Sequence, residues 1–121
     1  MPEKKETAIL VRPRIYIGDN ATIGPGKIEL LKALQTESSI TAAAKSLNIP
    51  YKKAWNLLDA LNKTFNQPVF EARVGGKGGG KTELTPIGTQ LIKSYEALEK
   101  KLNQCVEDEL LDIKKLTETQ Q

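Results

Sequence analysis

Apolar residues along the chain follow two periodicities, and their alternation divides it into short strands and helices. Ile9–Ile17 is rich in β-branched residues, and Pro13 within it favours an edge strand or two short pieces. Gly18-Asp19-Asn20 reads as a turn. Gly24-Pro25-Gly26 is a second break, and from Lys27 onward Ile28, Leu31 and Leu34 repeat at helical spacing. Ser38-Ser39 supplies side-chain oxygen to cap a second helix, Ile40–Leu47, in which Ala42-Ala43-Ala44 permits close approach of a neighbouring helix. Asn48 suits the left-handed conformation that ends it, and Pro50 fits the first turn of a third helix running to about Phe65.

At about 100° per residue, Ala54, Leu57, Leu58, Leu61 and Phe65 share one side of that third helix and predict its buried face. The other side carries Lys52, Trp55, Asn56 and Lys63, flanked by Tyr51 and Lys53. Pro68 breaks the chain, Val69–Val74 alternates as a strand does, Gly75–Gly80 makes a flexible tip, and Lys81–Leu84 returns as a second strand. Thr85-Pro86 opens a helical pattern in which Ile87, Leu91, Tyr95, Leu98, Leu102, Val106, Leu110, Ile113 and Leu116 recur every three or four residues without a breaker. From Pro86 to Leu116 such a helix is 31 residues, about 46 Å, more than a domain of this size covers with its own surface. The stripe is therefore expected to meet a second copy of itself, with Leu91, Tyr95, Leu98, Leu102, Val106, Leu110 and Ile113 as the dimerisation set.

Two short helices joined by a tight turn, followed by a two-stranded wing, predict a mainly α (α+β) fold. It is a winged helix-turn-helix with an N-terminal edge strand and a long C-terminal helix. The expected boundaries are 1–84 for the winged unit, 85–117 for the dimerisation helix and 118–121 for a disordered tail.

Composition narrows the chemistry. A chain of 121 residues supports one compact domain without disulfides. No apolar run approaches the roughly 18 residues of a membrane span, and no signal-like stretch opens the chain, so a soluble, cytoplasmic protein is expected. There is no histidine and one cysteine, which leaves zinc sites and histidine-dependent nucleophilic catalysis without support. No cofactor and no metal are expected. Cys105 is expected to be a small apolar packing residue, with a reactive thiol as the alternative. Net charge is +3, divided as +6 over residues 1–81 and −3 over 82–121. That asymmetry suits a cationic surface meeting a polyanion.

Ile15-Tyr16-Ile17-Gly18-Asp19, Ala42-Ala43-Ala44-Lys45-Ser46-Leu47-Asn48-Ile49, Tyr51-Lys52-Lys53-Ala54-Trp55, Gly75-Gly76-Lys77-Gly78-Gly79-Gly80 and Leu84-Thr85-Pro86-Ile87-Gly88 together resemble the ModE-type regulators over roughly residues 14–105. The DNA-binding domain of those proteins is related to that of the LysR-type regulators. The resemblance implies a transcriptional regulator rather than an enzyme. It would be a homodimer whose long helices pair and whose third helices each enter a major groove of double-stranded DNA. Full-length members of that family also carry C-terminal molybdate-binding domains. This chain stops soon after the long helix, and the expectation is that it does not itself bind molybdate.

On that reading Lys52 donates to guanine O6 and N7, and Asn56 makes the paired donor-acceptor contact that suits adenine. Trp55 presses on a thymine methyl or sugar, or else packs half-buried within the protein. Asp59, one turn on, would repel phosphates and marks the end of the groove contact. Tyr51 and Lys53 flank the reading face and suit phosphate oxygens, and Ser39 and Thr41 could add hydroxyl or amide contacts although capping accounts for them. In the wing, Arg73, Lys77 and Lys81 surround glycines that let backbone amides approach the sugar-phosphate chain.

Two other readings compete. Gly75–Thr82 fits the nucleotide-binding pattern G-x-x-x-x-G-K-[ST], which requires a helix opening at Lys81, and Pro86 falls where it would disrupt that helix. The third reading is a protein-interaction module that pairs through its long helix and holds an acidic partner with its basic half.

Overall fold

The computed structural model describes residues 8–73 and 81–118. The N-terminal β-branched run gives a strand only over Ile15–Ile17 (β1), which pairs antiparallel with Ala21–Ile23 (β2) across Gly18, whose φ is +64°. The sequence pattern assigned no element to β2, yet Ile23 at its end is fully buried in the core. Pro25, expected to be part of a break, instead opens helix α1 (Pro25–Thr36), because the missing N–H of proline costs nothing in the first helical turn. The buried face of α1 is Ile28, Leu30, Leu31 and Leu34.

Helix α2 (Ile40–Ser46) starts as expected, the Ser39 hydroxyl accepting a hydrogen bond from the Ala42 amide at 3.0 Å. Asn48 ends it at φ +59°. The Ile49 amide reaches back to the Ala44 carbonyl and the Asn48 amide to that of Lys45, and with the Leu47 amide they satisfy the last carbonyls of α2. Helix α3 (Tyr51–Thr64) follows at once, with Pro50 capping it rather than occupying its first turn. Ala43, Ala44 and Ala54 are buried where α2 meets α3, since only small side chains allow two backbones this close. Leu58 and Leu61 fill the centre of the core, and Leu57 and Phe65 are partly buried at its margin.

The wing is the antiparallel pair β3 (Phe70–Arg73) and β4 (Lys81–Leu84), in which Phe70 lies opposite Leu84 and Arg73 opposite Lys81. The glycine tip and Lys77 lie outside the described residues. Because Lys81-Thr82 begins a strand and not a helix, the phosphate-cradling arrangement of the nucleotide-binding pattern is not formed.

The long C-terminal helix departs from expectation. It is two helices, α4 (Pro86–Cys105) and α5 (Glu107–Thr117), separated at Val106, whose φ of −114° and ψ of 27° leave the helical region. Hydrogen bonds from the Val106 amide to Leu102 and from Leu110 to Val106 continue on both sides, so this is an interruption and not a loop. Of the expected disordered tail, Glu118 is described as the cap of α5, and 119–121 lie outside the described residues.

Val69 joins three elements. Its amide donates to Asn62 Oδ1 in α3 at 2.8 Å, and its carbonyl accepts from the Thr85 amide at 3.1 Å. Gly88, in the first turn of α4, lies directly against that carbonyl, and a Cβ there would overlap the oxygen. The expected effect of Gly88→Ala is therefore destabilisation by about 1–3 kcal/mol from overpacking, although alanine in an open helix would gain nearly 1 kcal/mol over glycine. Urea unfolding of the two proteins measures the sign.

Candidate nucleic-acid interface

Burial of Ala54, Leu58 and Leu61 fixes the roll of α3 and turns the opposite side outward. Lys52, Lys53, Trp55 and Asn56 are all exposed, and Tyr51 stands beside them at the helix start. Trp55 is 44% exposed and Tyr51 51%, so the indole is half-buried against its own chain and presents the rest of its surface outward. With Lys52 and Asn56 they line a shallow, mostly apolar depression of about 440 Å³. Lys63 sits on the same helix but is engaged with Asp59 at 3.0 Å. Lys52, Lys53 and Lys81 have no ion-pair partner among the described residues.

Thr41 is exposed in the first turn of α2, beside the capping Ser39. The wing is tied to the same place: the Thr82 amide donates to the Ser38 carbonyl at 2.8 Å. Lys81, exposed at the head of β4, therefore stands next to the entry of the helix-turn-helix unit. Arg73 occupies the facing register position. No residue pattern signals the Ser38–Thr82 bond, which joins residues far apart in the chain and uses only backbone atoms.

Among the described residues no group of three or more His, Cys, Asp or Glu is placed to hold a metal, and no helix is long and apolar enough to cross a membrane.

Residues 26–89 match the profile of the bacterial regulatory helix-turn-helix proteins of the lysR family, which is more than half of the chain. The chain belongs to that family. The match runs from α1 through the wing to the first turn of α4, the segment bounded by Gly26 and the tightly packed Gly88 region. Within the lysR family the likeness is to ModE-type proteins. The transcriptional regulator ModE of Haemophilus influenzae is 40% identical over 96 residues, covering 79% of this chain and 37% of that protein. The molybdenum-pterin-binding protein MopB of Rhodobacter capsulatus is 42% identical over 79 residues, 65% of this chain and 29% of that protein. The DNA-binding transcriptional dual regulator ModE of Escherichia coli is 39% identical over 74 residues, 61% and 28% respectively. This lysR-family chain thus spans about a third of the length of the curated relatives it matches. The ModE relatives are named as transcriptional regulators.

The expected dimerisation set divides in the structure. Tyr95 is 3% exposed, with its hydroxyl donating to the Pro13 carbonyl at 2.6 Å, and Leu91 packs partly on the core. Both belong to the chain's own interior, because α4 lies on the domain through its first three turns. Leu98 and Ile113 are exposed, and Leu102, Val106 and Leu110 are partly so. Leu111 and Leu116, neither in the expected set, are exposed as well. Cys105 is exposed at the end of α4, contrary to a packing role.

Burial raises the pKa of the Tyr95 phenol above 10, with the Glu99 charge adding to it and Arg12 and Arg14 opposing it. A folded-state pKa above the unfolded one favours the native form below pH 10 and withdraws that support as pH rises through the folded value. Tyr95→Phe is expected to abolish the latest-ionising part of the phenolate absorbance and to flatten the loss of stability above pH 10, read by ultraviolet titration and denaturation.

Proposed function

We propose that this chain is the DNA-binding part of a transcriptional regulator that acts as a homodimer on double-stranded DNA. The observation that carries the reading is the outward face of α3. Lys52 and Lys53, without an ion-pair partner among the described residues, surround a helix start together with an asparagine and two exposed aromatic rings, and a lysR-family helix-turn-helix holds them there. An α-helix fits the major groove, and its first turns are the part that reaches base edges. Lys52 and Asn56 read bases, and Trp55 lies against a thymine methyl or sugar. Tyr51, Lys53, Ser39 and Thr41 position the helix on phosphates. Lys81, with Arg73 and Lys77, lays the wing on the backbone or minor groove.

Dimerisation is supported by the C-terminal helices. Helix α5 buries none of its residues in the single chain, while Leu111, Ile113 and Leu116 are each at least half exposed. An 11-residue helix without tertiary packing is marginal in water, so its apolar side is best explained by a second copy. Leu98, Leu102, Val106, Leu110 and Ile113 are the paired surface. The ModE relatives named above are regulators, and one is described as DNA-binding. What molybdenum-related ligand another relative binds belongs to that protein; we infer no molybdate site on this chain.

A dimer making about eight phosphate contacts should lose affinity with rising salt at a log-log slope near −7. Fluorescence anisotropy across a salt series measures it, and a flat response excludes the model. Lys52→Ala and Asn56→Ala are expected to change the sites recovered from a random duplex pool, each costing about 1–3 kcal/mol on the preferred site. Lys81→Ala should weaken all duplexes alike. Leu110→Glu combined with Ile113→Glu is expected to yield a monomer in sedimentation with the helix-turn-helix unit intact.

A further inference from the structure

Residues 8–15 alternate strictly, with Ile9, Val11, Pro13 and Ile15 partly buried and Ala8, Leu10, Arg12 and Arg14 exposed. Residues 8–14 form an extended strap leading into β1, and Val11, Arg12 and Pro13 in it make polar contacts with α1 and α4. The Asn103 carboxamide in the last turns of α4 grips both backbone groups of Val11: Oδ1 accepts from the Val11 amide at 2.7 Å, and Nδ2 donates to the Val11 carbonyl at 2.9 Å. The second Nδ2 hydrogen goes to the Glu99 carbonyl at 2.8 Å, so both donors of the amide and one lone pair of its oxygen are used. Two residues on, Pro13 receives the Tyr95 hydroxyl. Between them Arg12 reaches Glu29 of α1 at 3.4 Å and Glu99 of α4 at 3.9 Å.

The place of these contacts along α4 matters. The last buried residue of α4 is Tyr95. From there to Asn103 the helix projects another 12 Å or so, and the strap supplies hydrogen bonds along that stretch. The interruption at Val106 comes three residues after the strap's last hold.

We infer that residues 8–14 are a brace, and that Asn103 is a positioning residue which fixes the direction of the distal half of α4 relative to α3. This rests on the dimeric DNA-binding reading, because in such a dimer the direction of α4 sets the separation of the two recognition helices. Asparagine is specified chemically. Aspartate would lose both Nδ2 bonds and bring a carboxylate against the carbonyl oxygens of Val11 and Glu99.

The test places one nitroxide on Cys105 and a second on a cysteine introduced by Gln35→Cys in α1, with labelled chains diluted into unlabelled protein. The parent should give one narrow distance distribution, and Asn103→Ala, Asn103→Asp and Arg12→Ala should each broaden it. On duplexes carrying two half-sites at varied spacing, the parent should prefer one spacing by about tenfold, and the variants should retain less than about twofold of that preference. Single half-site affinity should not change, which separates lost positioning from general unfolding. An unchanged distance distribution in both Asn103 variants overturns the brace. A broadened distribution with intact spacing preference overturns its role in setting helix separation and leaves the regulator reading standing. A parent protein that binds no duplex overturns the regulator reading, and the labels still decide whether the strap stiffens α4.

Discussion

The hydrogen bonds around Val69 hold together α3, the wing and the start of α4. Asn62 at the end of α3 takes its amide, Thr85 at the start of α4 gives to its carbonyl, and the side chain is fully buried between them. The wing leaves from the next residue. Helix α3, the wing and the start of α4 are thus referred to one residue. Because Gly88 has no side chain, α4 can pass against that unit instead of standing off by the width of a methyl group.

Much of this was legible in the sequence, for local reasons. The cap at Ser39, the left-handed turn at Asn48 and the start of α4 at Thr85 are each decided by a few adjacent residues, and pattern reading finds them. The outward side of α3 was legible because its inner side is so uniformly apolar. What escaped was decided by distant partners. Tyr95 fits the heptad-like stripe as well as Leu98 does, but its hydroxyl finds a carbonyl 82 residues away. Periodicity cannot distinguish a residue turned toward its own domain from one turned toward another copy.

The N-terminal segment shows the same limit from the other side. Its β-branched composition correctly indicates extended backbone, and the expectation of an edge strand followed from it. Ahead of β1, Val11 and Pro13 instead bond to side chains of α4, with Asn103 standing in for a neighbouring strand at Val11. The interruption at Val106 had no signal either: no glycine or proline marks it, and neither flanking hydrogen bond is lost.

The bond between the Thr82 amide and the Ser38 carbonyl makes the wing base and the entry to α2 a single body. A ligand that touches both the wing and α3 therefore meets a caliper of preset opening. Duplexes whose grooves already match that gauge need no deformation, while stiffer or differently proportioned tracts must be bent to fit, at an elastic cost that depends on their sequence. Base pairs never touched by the protein would in this way contribute to its choice of site.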